Sequence, residues 1–238
     1  MRLDLYLTNH HNFTRNKAQQ LIVAGLVSVN GIVITKSSFD FTDDNKVEVS
    51  EDRRVRWVSR SAEKLAGFLE NWTLEIQWKS CLDVGSSTGG FTQVLLEYSA
   101  SHVDAVDVWT DQLHETLRND PRVTSYEQTD IRNFSVKKPY DIIVWDASFI
   151  SLHEILPSIL LHANSLTDII LLYKPQFEVG RENLRKTGVP KDEKVVERGL
   201  SDFEQFLGEQ DCVIIAKAKS TLIWEAGNQE WIFWIKKS

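Results

Sequence analysis

The sequence has 238 residues, of which 42% are hydrophobic and 10% aromatic, enough to bury one substantial core and a small appended module. This composition excludes an intrinsically disordered chain, and the longest apolar run, IILLY, is far shorter than the ~20 residues of a membrane-spanning helix. The net charge of -7 counts modestly against a nucleic-acid partner, but residues 1–60 hold nine Lys and Arg against seven Asp and Glu, and the remainder holds 18 against 27.

The N-terminal segment is predicted to form a small α+β module. The start, MRLDLYLTNHHNFTRNK, lacks the apolar core of a secretory signal, so a cytoplasmic protein is expected. Thr14 is a suitable N-cap for a helix with apolar positions Ala18, Leu21 and Ile22, and Gly25 ends that helix. VSVNGIVI predicts a β-hairpin, because Asn-Gly favours a tight turn, and KVEVS supplies a further strand.

From Cys81 onward, strand-like and helix-like segments alternate, and QLHETLRND is among the predicted helices. A helix, SRSAEKLAGFLEN, precedes this region, and CVIIAKAKS and WIFWIKK are predicted to close it as a strand pair. Alternation of this kind predicts an α/β fold, with a parallel sheet covered on both faces and a ligand at the carboxyl ends of its strands. The expected domains are residues 1–58 and 59–238. Polar residues follow the predicted strands at 83–90, 107, 130, 146 and 174.

The glycine-rich stretch DVGSSTGGF follows the first predicted strand of this sheet. No lysine follows Gly90, so the stretch is not a triphosphate-binding loop, and Ser87 occupies the place of a glycine in the dinucleotide fingerprint. Asp83 lies in the loop and would repel a pyrophosphate, whereas Asp107 follows the next strand, at a spacing that suits a ribose diol. A positively charged ligand with a ribose fits best, and S-adenosylmethionine (AdoMet) is one. The alternative is a glycine turn that only packs helix on strand.

Five motifs resemble those of a known family in the same order. VSRSAEKL, DVGSSTGGF, WDASFISL, YKPQFEVGRE and GNQEW are similar to the motifs of the TlyA/hemolysin A-type ribosomal RNA 2'-O-methyltransferases. The resemblance covers nearly the whole chain. It implies a Rossmann-like, AdoMet-dependent, FtsJ-like methyltransferase domain preceded by a small S-four-like RNA-binding domain. The partners implied are ribosomal RNA or assembled ribosomal subunits.

The resemblance also implies a catalytic set of Lys64, Asp146, Lys174 and Glu230. A ribose 2'-hydroxyl is a poor nucleophile, so a base has to remove its proton during attack on the methyl group. A lysine acts as a base only when burial or a cationic neighbour favours its neutral form. Lys174 is assigned as this base, with Lys64 as the cationic neighbour or as a stabiliser of the oxyanion. The two carboxylates are expected to orient the amines.

Further residues are assigned by the same resemblance. The predicted cofactor-binding residues are Asp83, Gly85, Ser86, Gly89, Gly90, Asp107, Asp130, Ile131 and Asp146. The predicted RNA-binding residues are Arg2, Arg15, Lys17, Arg53, Arg54, Arg56 and Arg60. The sequence contains two basic clusters, and each is equally compatible with a solvated surface: Arg53, Arg54, Arg56, Arg60 and Lys64 form the first, and Arg181, Arg185, Lys186, Lys191 and Lys194 form the second. The two cysteines and six histidines show no ligand spacing, so no metal is predicted.

The chain departs from the family pattern at two places. Ser61 and Ala62 replace two glycines before Lys64, and Leu222–Glu225 replaces a glycine- and proline-containing segment before GNQEW. Trp224 in that segment either stacks on a base or packs internally. Two other functions are weighed against the enzyme: a non-catalytic RNA-binding or ribosome-assembly factor, and a membrane-lytic hemolysin. No stable membrane insertion is expected, because no basic amphipathic helix supports the lytic function.

Overall fold

The computed structural model describes residues 1–11, 13–42, 45–136, 138–223 and 227–238, and these form two compact units, Met1–Ser59 and Arg60–Ser238. The predicted Trp224 contact, and most of the divergent segment before GNQEW, lie outside the described residues. Each unit has its own buried core.

The first unit packs helices against a small antiparallel sheet. Its elements are α1 (Leu3–His10), α2 (Arg15–Val23), β1 (Val27–Val29), β2 (Ile32–Val33), β3 (Val47–Val49) and α3 (Arg53–Arg56), with strand order β2-β1-β3. The Thr14 side chain accepts a hydrogen bond from the Lys17 amide and caps α2, as predicted. Gly25, Asn30 and Gly31 all have positive φ, which confirms the predicted helix end and hairpin turn.

The second unit contains a seven-stranded sheet. Its elements are α4 (Ala62–Leu69), β4 (Ser80–Val84), α5 (Gly90–Glu97), β5 (His102–Val106), α6 (Glu115–Arg118), β6 (Val123–Tyr126), β7 (Ile142–Trp145), α7 (Leu152–Ile159), β8 (Asp168–Tyr173), α8 (Pro175–Glu178), α9 (Glu193–Glu209), β9 (Cys212–Ile223) and β10 (Gln229–Lys237). Short 3-10 turns span Leu160–His162 and Arg181–Asn183. The strand order is β6-β5-β4-β7-β8-β10-β9.

Five neighbouring strands of this sheet are parallel, and β10 pairs antiparallel with both β8 and β9. The predicted alternation and the closing strand pair are therefore confirmed. The strand order reverses between β4 and β7, and the carboxyl ends of parallel strands at such a switch form a crevice. Because β10 runs antiparallel, its start lies beside the end of β8, where Trp231 is opposite Tyr173.

Two helices differ from expectation. The predicted helix QLHETLRND is reduced to the four residues of α6. Sequence reasoning missed α9, which has 17 residues and buries Leu200, Phe203 and Leu207 against the core. Because the mean hydropathy of this segment is low, its helix could be predicted only from the amphipathic spacing of its apolar residues and from its N-cap. Asp192 is that N-cap, and its side chain accepts a hydrogen bond from the Val195 amide.

Candidate active site

The sheet brings together four charged residues from distant parts of the chain. Asp146 follows β7 directly, Lys174 follows β8, and Glu230 is the second residue of β10. Lys64 extends from α4. All four therefore lie at the carboxyl edge of the parallel strands, where the sequence predicts a ligand.

These four side chains form a continuous chain of ion pairs. Glu230 Oε2 lies 2.8 Å from Lys64 Nζ, and Lys64 Nζ lies 3.3 Å from Asp146 Oδ2. On the other side of the carboxylate, Lys174 Nζ lies 2.6 Å from Asp146 Oδ1. Two amines thus face two carboxylates, and the formal charges balance within the cluster. We refer to Lys64, Asp146, Lys174 and Glu230 as the tetrad.

Three members of the tetrad are buried, and the side chain of the fourth, Asp146, is 10% exposed. Lys64 and Lys174 are each 3% exposed, and Glu230 is 0% exposed. Within the described part of the chain, neither carboxylate oxygen of Glu230 makes a well-directed hydrogen bond, so its contact with Lys64 is an ion pair without ideal geometry. Buried charges are costly unless paired, and the ion pairs of the tetrad offset this cost.

Lys174 makes two more contacts in addition to its ion pair. Its Nζ donates to the Ala147 carbonyl oxygen at 2.9 Å and to Ser148 Oγ at 3.2 Å. Three acceptors, including Asp146, therefore surround this amine, which equals the donor capacity of an ammonium group. The same contacts hold the loop after β7 against the end of β8.

Close packing of α4 on β9 positions Lys64. A Cβ atom on Gly67 would lie 2.6 Å from Thr221 Oγ1, so only glycine permits this helix to approach the strand so closely. The replacements at Ser61 and Ala62 cause no backbone strain, because neither residue has a positive φ. Ala62 is fully buried at the start of the helix.

The glycine loop connects β4 to α5. Gly85 and Gly89 have φ values of 77° and 93°, which residues with a side chain rarely adopt. A Cβ atom on Gly85 would lie 2.7 Å from the Ala147 Cβ, and one on Gly89 would lie 2.3 Å from Leu117 Cδ1. Internal packing therefore explains both glycines, and Gly90 is the first residue of α5. Ser86 lies buried in the same loop.

Asp83 is fully buried below this loop. Its Oδ2 accepts hydrogen bonds from the Thr92 amide at 2.8 Å and the Thr92 hydroxyl at 2.6 Å. Its Oδ1 has no hydrogen-bond partner among the described residues. Burial raises the pKa of Asp83 to about 7, although the two Thr92 hydrogen bonds act in the opposite direction. An unpaired carboxylate oxygen in this position is suited to a cationic ligand group.

Asp107 follows β5 and joins two loops. Its Oδ2 accepts a hydrogen bond from the Ser87 amide at 2.7 Å, and its Oδ1 accepts one from the Trp109 amide at 2.9 Å. Each carboxylate oxygen retains a further lone pair. Asp107 therefore fixes the glycine loop, a structural contribution that the sequence does not reveal.

Asp130 and Ile131 occupy different environments. Asp130 forms an ion pair with Arg132, and hydrogen bonds from the Arg132 side chain lower the pKa of this carboxyl. Ile131 is 5% exposed and belongs to the main core with Val106 and Trp145, which end β5 and β7. Ile131 thus lies near the strand ends, whereas Asp130 already has a charged partner.

A contact between two loops of the site was missed by the sequence analysis. The buried Glu178 side chain accepts hydrogen bonds from Ser151 Oγ at 2.6 Å and from the Leu152 amide at 2.9 Å. Glu178 ends α8, which begins directly after Lys174, and Ser151 caps α7. The segments carrying Asp146 and Lys174 are therefore joined at both ends. The motif KPQFE contains this glutamate, but only the fold reveals its partner.

The basic residues of the first unit make several internal contacts. Arg2 and Arg15 both approach the buried Asp4 carboxylate, at 2.8 Å and 3.5 Å. Lys17 Nζ donates to the carbonyl oxygens of Arg54 and Trp57 at 2.6 Å and 2.7 Å, and burial lowers the pKa of this lysine to about 8.

Other predicted RNA-binding residues lie in or after α3. The Arg54 side chain forms an ion pair with Asp52, and the Arg53 guanidinium lies 5.1 Å from the centroid of the Trp57 ring. Arg56 ends α3, and Arg60 begins the second unit. Roles of all these residues in RNA binding stay predictions.

Neither a metal cluster nor a membrane span emerges from the described residues. They contain no group of three or more His, Cys, Asp or Glu arranged to hold a metal ion. Likewise, no helix among them is both long and apolar enough to cross a membrane.

Comparison with known families and proteins gives matches along the whole chain. Residues 57–237 match the FtsJ-like methyltransferase family, and residues 1–46 match the S4 domain. The chain is 38% identical to the 23S rRNA (cytidine-2'-O)-methyltransferase TlyA of Campylobacter jejuni, over 100% of both chains. It is also 38% identical to the 16S/23S rRNA (cytidine-2'-O)-methyltransferase TlyA of Mycobacterium tuberculosis, over 94% of this chain and 84% of that relative.

A solved structure extends this similarity to the whole architecture. A Streptococcus thermophilus protein named as a hemolysin superposes with a TM-score of 0.77 at 31% identity, covering 100% of this chain and 88% of that one. The mostly parallel sheet and the preceding small unit are therefore shared with known relatives.

Proposed function

Because the chain belongs to the FtsJ-like methyltransferase family, we propose that it transfers the methyl group of AdoMet to a ribose 2'-hydroxyl of ribosomal RNA. The names of its two TlyA relatives support this substrate, and the N-terminal S4 match supports RNA as the partner. The observation that carries the proposal is the tetrad, two buried lysines and two carboxylates in one connected cluster.

The residues of the glycine loop fit AdoMet. The free Oδ1 of Asp83 is an acceptor for the amino group of its methionine part, and Asp107 keeps lone pairs for its ribose diol. Ser86 and the backbone of Gly85, Gly89 and Gly90 would surround the methionine part, with Asp130 and Ile131 toward the adenine. When bound, AdoMet supplies an electrophilic methyl carbon on a positively charged sulfur, to which the Asp146 carboxylate is complementary.

Lys174 acts as the base in this proposal. The 2'-hydroxyl would give its proton to Lys174 Nζ as its oxygen takes the methyl group and the carbon–sulfur bond of AdoMet breaks to leave the neutral thioether. Lys174 would therefore have to release its own extra proton to solvent beforehand, because only a neutral amine accepts a proton. Since three acceptors already surround Nζ, the substrate hydroxyl has to replace one of them. The Ser148 hydroxyl, at 3.2 Å, is the longest of the three contacts and the most readily exchanged.

The other members of the tetrad position this amine. Asp146 holds Lys174 from one side, and Lys64 holds Asp146 from the other. Glu230 compensates the charge of Lys64 in the interior. Precise orientation is valuable, because well-oriented reactants can lower a barrier by roughly 7–11 kcal/mol.

A transfer assay tests the proposal. Purified protein is incubated with ribosomal subunits and AdoMet labelled with tritium in the methyl group, and incorporation into RNA is measured for each subunit. If tritium is incorporated but mapping finds no 2'-O-methylated nucleotide, the methyl group has gone to another acceptor atom. Clear RNA binding without incorporation into either subunit would favour a non-catalytic assembly factor.

The choice of subunit is a separate question. One relative is named for 23S rRNA alone and the other for both 16S and 23S rRNA. Mapping 2'-O-methylated nucleotides in RNA from cells with and without this gene identifies the site directly.

A further inference from the structure

Residues 181–191 form a small projection, here called the basic arm. It starts with the 3-10 turn Arg181–Asn183 and doubles back, so that Leu184 forms an antiparallel bridge with Pro190. The Arg185 amide donates to the Val189 carbonyl at 2.8 Å. The Arg185 side chain also donates to the Lys191 carbonyl at 2.7 Å, which closes the arm on itself. The segment is thus held by its own hydrogen bonds.

The basic arm has the opposite charge to the unit that carries it. It holds four Lys and Arg against one Glu, whereas the rest of residues 60–238 holds 15 against 26. Arg181, Lys186 and Lys191 are exposed. Across the described ranges, no carboxylate forms an ion pair with any of these three. The arm is therefore a local positive site on an acidic body.

Two contacts attach the basic arm beside the tetrad. Near its base, Asn183 Nδ2 donates to the Val179 carbonyl at 2.7 Å, five residues after Lys174. Near its tip, the buried Asn228 donates from Nδ2 to the Gly188 carbonyl at 3.3 Å, two residues before Glu230. The arm thus spans from the segment of one tetrad residue to the segment of another.

We propose that the basic arm binds the backbone phosphates of the rRNA strand next to the target ribose, an inference that rests on the proposed function. A ribose 2'-hydroxyl is adjacent to the 3'-phosphate of its own nucleotide, so any RNA acceptor brings negative charge to the mouth of the site. The acidic body repels that charge, and the arm supplies attraction at the point where it is needed. Arg181, Lys186 and Lys191 make the contacts, and Arg185 holds the arm in shape.

The test compares three triple variants of the full chain in the transfer assay with ribosomal subunits. Arg181→Gln/Lys186→Gln/Lys191→Gln removes the charges of the arm. Arg181→Lys/Lys186→Arg/Lys191→Arg keeps them. Lys79→Gln/Lys138→Gln/Lys237→Gln removes three charges at the amino ends of the parallel strands, opposite the tetrad. The KM for subunits, its dependence on salt, and the Kd for AdoMet are measured for each.

Loss of the arm charges should raise KM by about tenfold or more. It should also make the negative slope of log(kcat/KM) against log[salt] shallower by roughly 2, because each lost phosphate contact reduces the magnitude of that slope by about 0.7–0.9. The AdoMet Kd should stay unchanged, and both other variants should match the wild type. An active wild-type enzyme whose arm variant keeps its KM and salt slope overturns the inference. A wild type that methylates no subunit overturns the proposed function instead.

The alternative partner for the positively charged basic arm is an anionic lipid surface. Sedimentation with vesicles of equal parts phosphatidylglycerol and phosphatidylcholine tests it. Vesicle binding that the arm variant loses, while its KM for subunits is unchanged, would overturn the assignment to RNA. Absence of vesicle binding by the wild type supports it.

Discussion

The glycine loop and the tetrad both have carboxylates at the carboxyl edge of the sheet, but the groups that contact these carboxylates differ. Beside the loop, Asp83 and Asp107 accept hydrogen bonds from uncharged donors, namely backbone amides and a hydroxyl. In the tetrad, Asp146 and Glu230 are paired with lysine ammonium groups. Among the described residues, the two carboxylates beside the loop therefore have no cationic partner, whereas the formal charges of the tetrad balance.

This difference corresponds to the two reactants of the proposed function. A loop with an unpaired carboxylate oxygen is suited to a ligand that brings its own positive charge. A balanced cluster of amines and carboxylates is suited to a neutral hydroxyl, from which only a proton has to be moved. The five predictions below test this comparison, from the largest expected effect to the smallest.

The largest effect is expected for Lys174→Ala. Removal of a general base costs about 10²- to 10⁴-fold in rate, so methyl transfer should fall by at least about 100-fold. AdoMet affinity should change by no more than a few fold, because the loop is untouched. Single-turnover transfer and calorimetry measure the two quantities, with Lys236→Ala as a matched control. Survival of near-normal activity would eliminate Lys174 as the base.

The tetrad should also be sensitive to charge imbalance. Lys64→Met leaves Glu230 buried without a cation, and breaking a buried pair in this way typically costs about 3–5 kcal/mol of unfolding free energy. The double variant Lys64→Met/Glu230→Gln should recover a substantial part of that loss. Urea denaturation of the single and double variants measures it. Equal stability of both variants would show that the ion pair is not what holds these residues in the interior.

The loop can be altered without disturbing the tetrad by Asp83→Asn, which preserves the size of the side chain and its acceptor for Thr92. The lost charge should weaken AdoMet binding by roughly 10- to 100-fold, equivalent to about 1.5–3 kcal/mol for a hydrogen bond to a charged group. The rate of the bound complex should change much less. An unchanged Kd would contradict the role of Asp83.

The pKa of Asp83 predicts how folding stability and AdoMet binding depend on pH. Folded Asp83 has a pKa of about 7 against an ordinary value of 3.8, so it contributes stability at low pH that is lost as pH rises through about 7. A cationic amino group requires the ionised form, and AdoMet binding near pH 6 should therefore release a proton. Calorimetry in buffers of different ionisation enthalpy measures this release, which Asp83→Asn should abolish.

The smallest effect is expected for Glu178→Gln, which retains one acceptor for the Ser151 and Leu152 donors. Because Glu178 positions the loops without contacting the reactants, kcat should fall by only a few fold and AdoMet affinity should be unchanged. Glu178→Ala, which removes both acceptors, should lower kcat further. If the alanine variant lowers thermal stability but leaves kcat intact, the contact supports the fold alone.

The sheet was predictable from the sequence to a large extent. Apolar strands such as IILLY and the alternation of strands and helices are local signals, as are the turn at Asn30-Gly31 and the cap at Thr14. The convergence of the tetrad is not a local signal, because Lys64 and Glu230 are far apart in sequence. Their grouping came from motif resemblance, and only the strand order explains why they meet.

What the sequence could not reveal depends on loops that approach each other through the fold. The hydrogen bonds from the Ser87 and Trp109 amides to Asp107 require the two loops to be correctly spaced. The Glu178 contact with Ser151 depends likewise on the fold bringing the end of α8 to the start of α7. Gly85 and Gly89 resemble ligand-binding glycines in the sequence, yet neighbouring side chains already account for their lack of a Cβ.

The position of β10 has a consequence for the order of folding. β10 follows β9 in the chain, yet it lies between β8 and β9, and among the described strands β9 is hydrogen-bonded only to β10. β9 and β10 are neighbours in sequence and can pair as a hairpin, whereas the pairing of β10 with β8 is non-local and therefore slower to form. Since Glu230 is carried by β10, completion of the sheet and assembly of the reactive cluster are a single event. Until β10 has docked, the cluster therefore lacks Glu230 as the partner of Lys64.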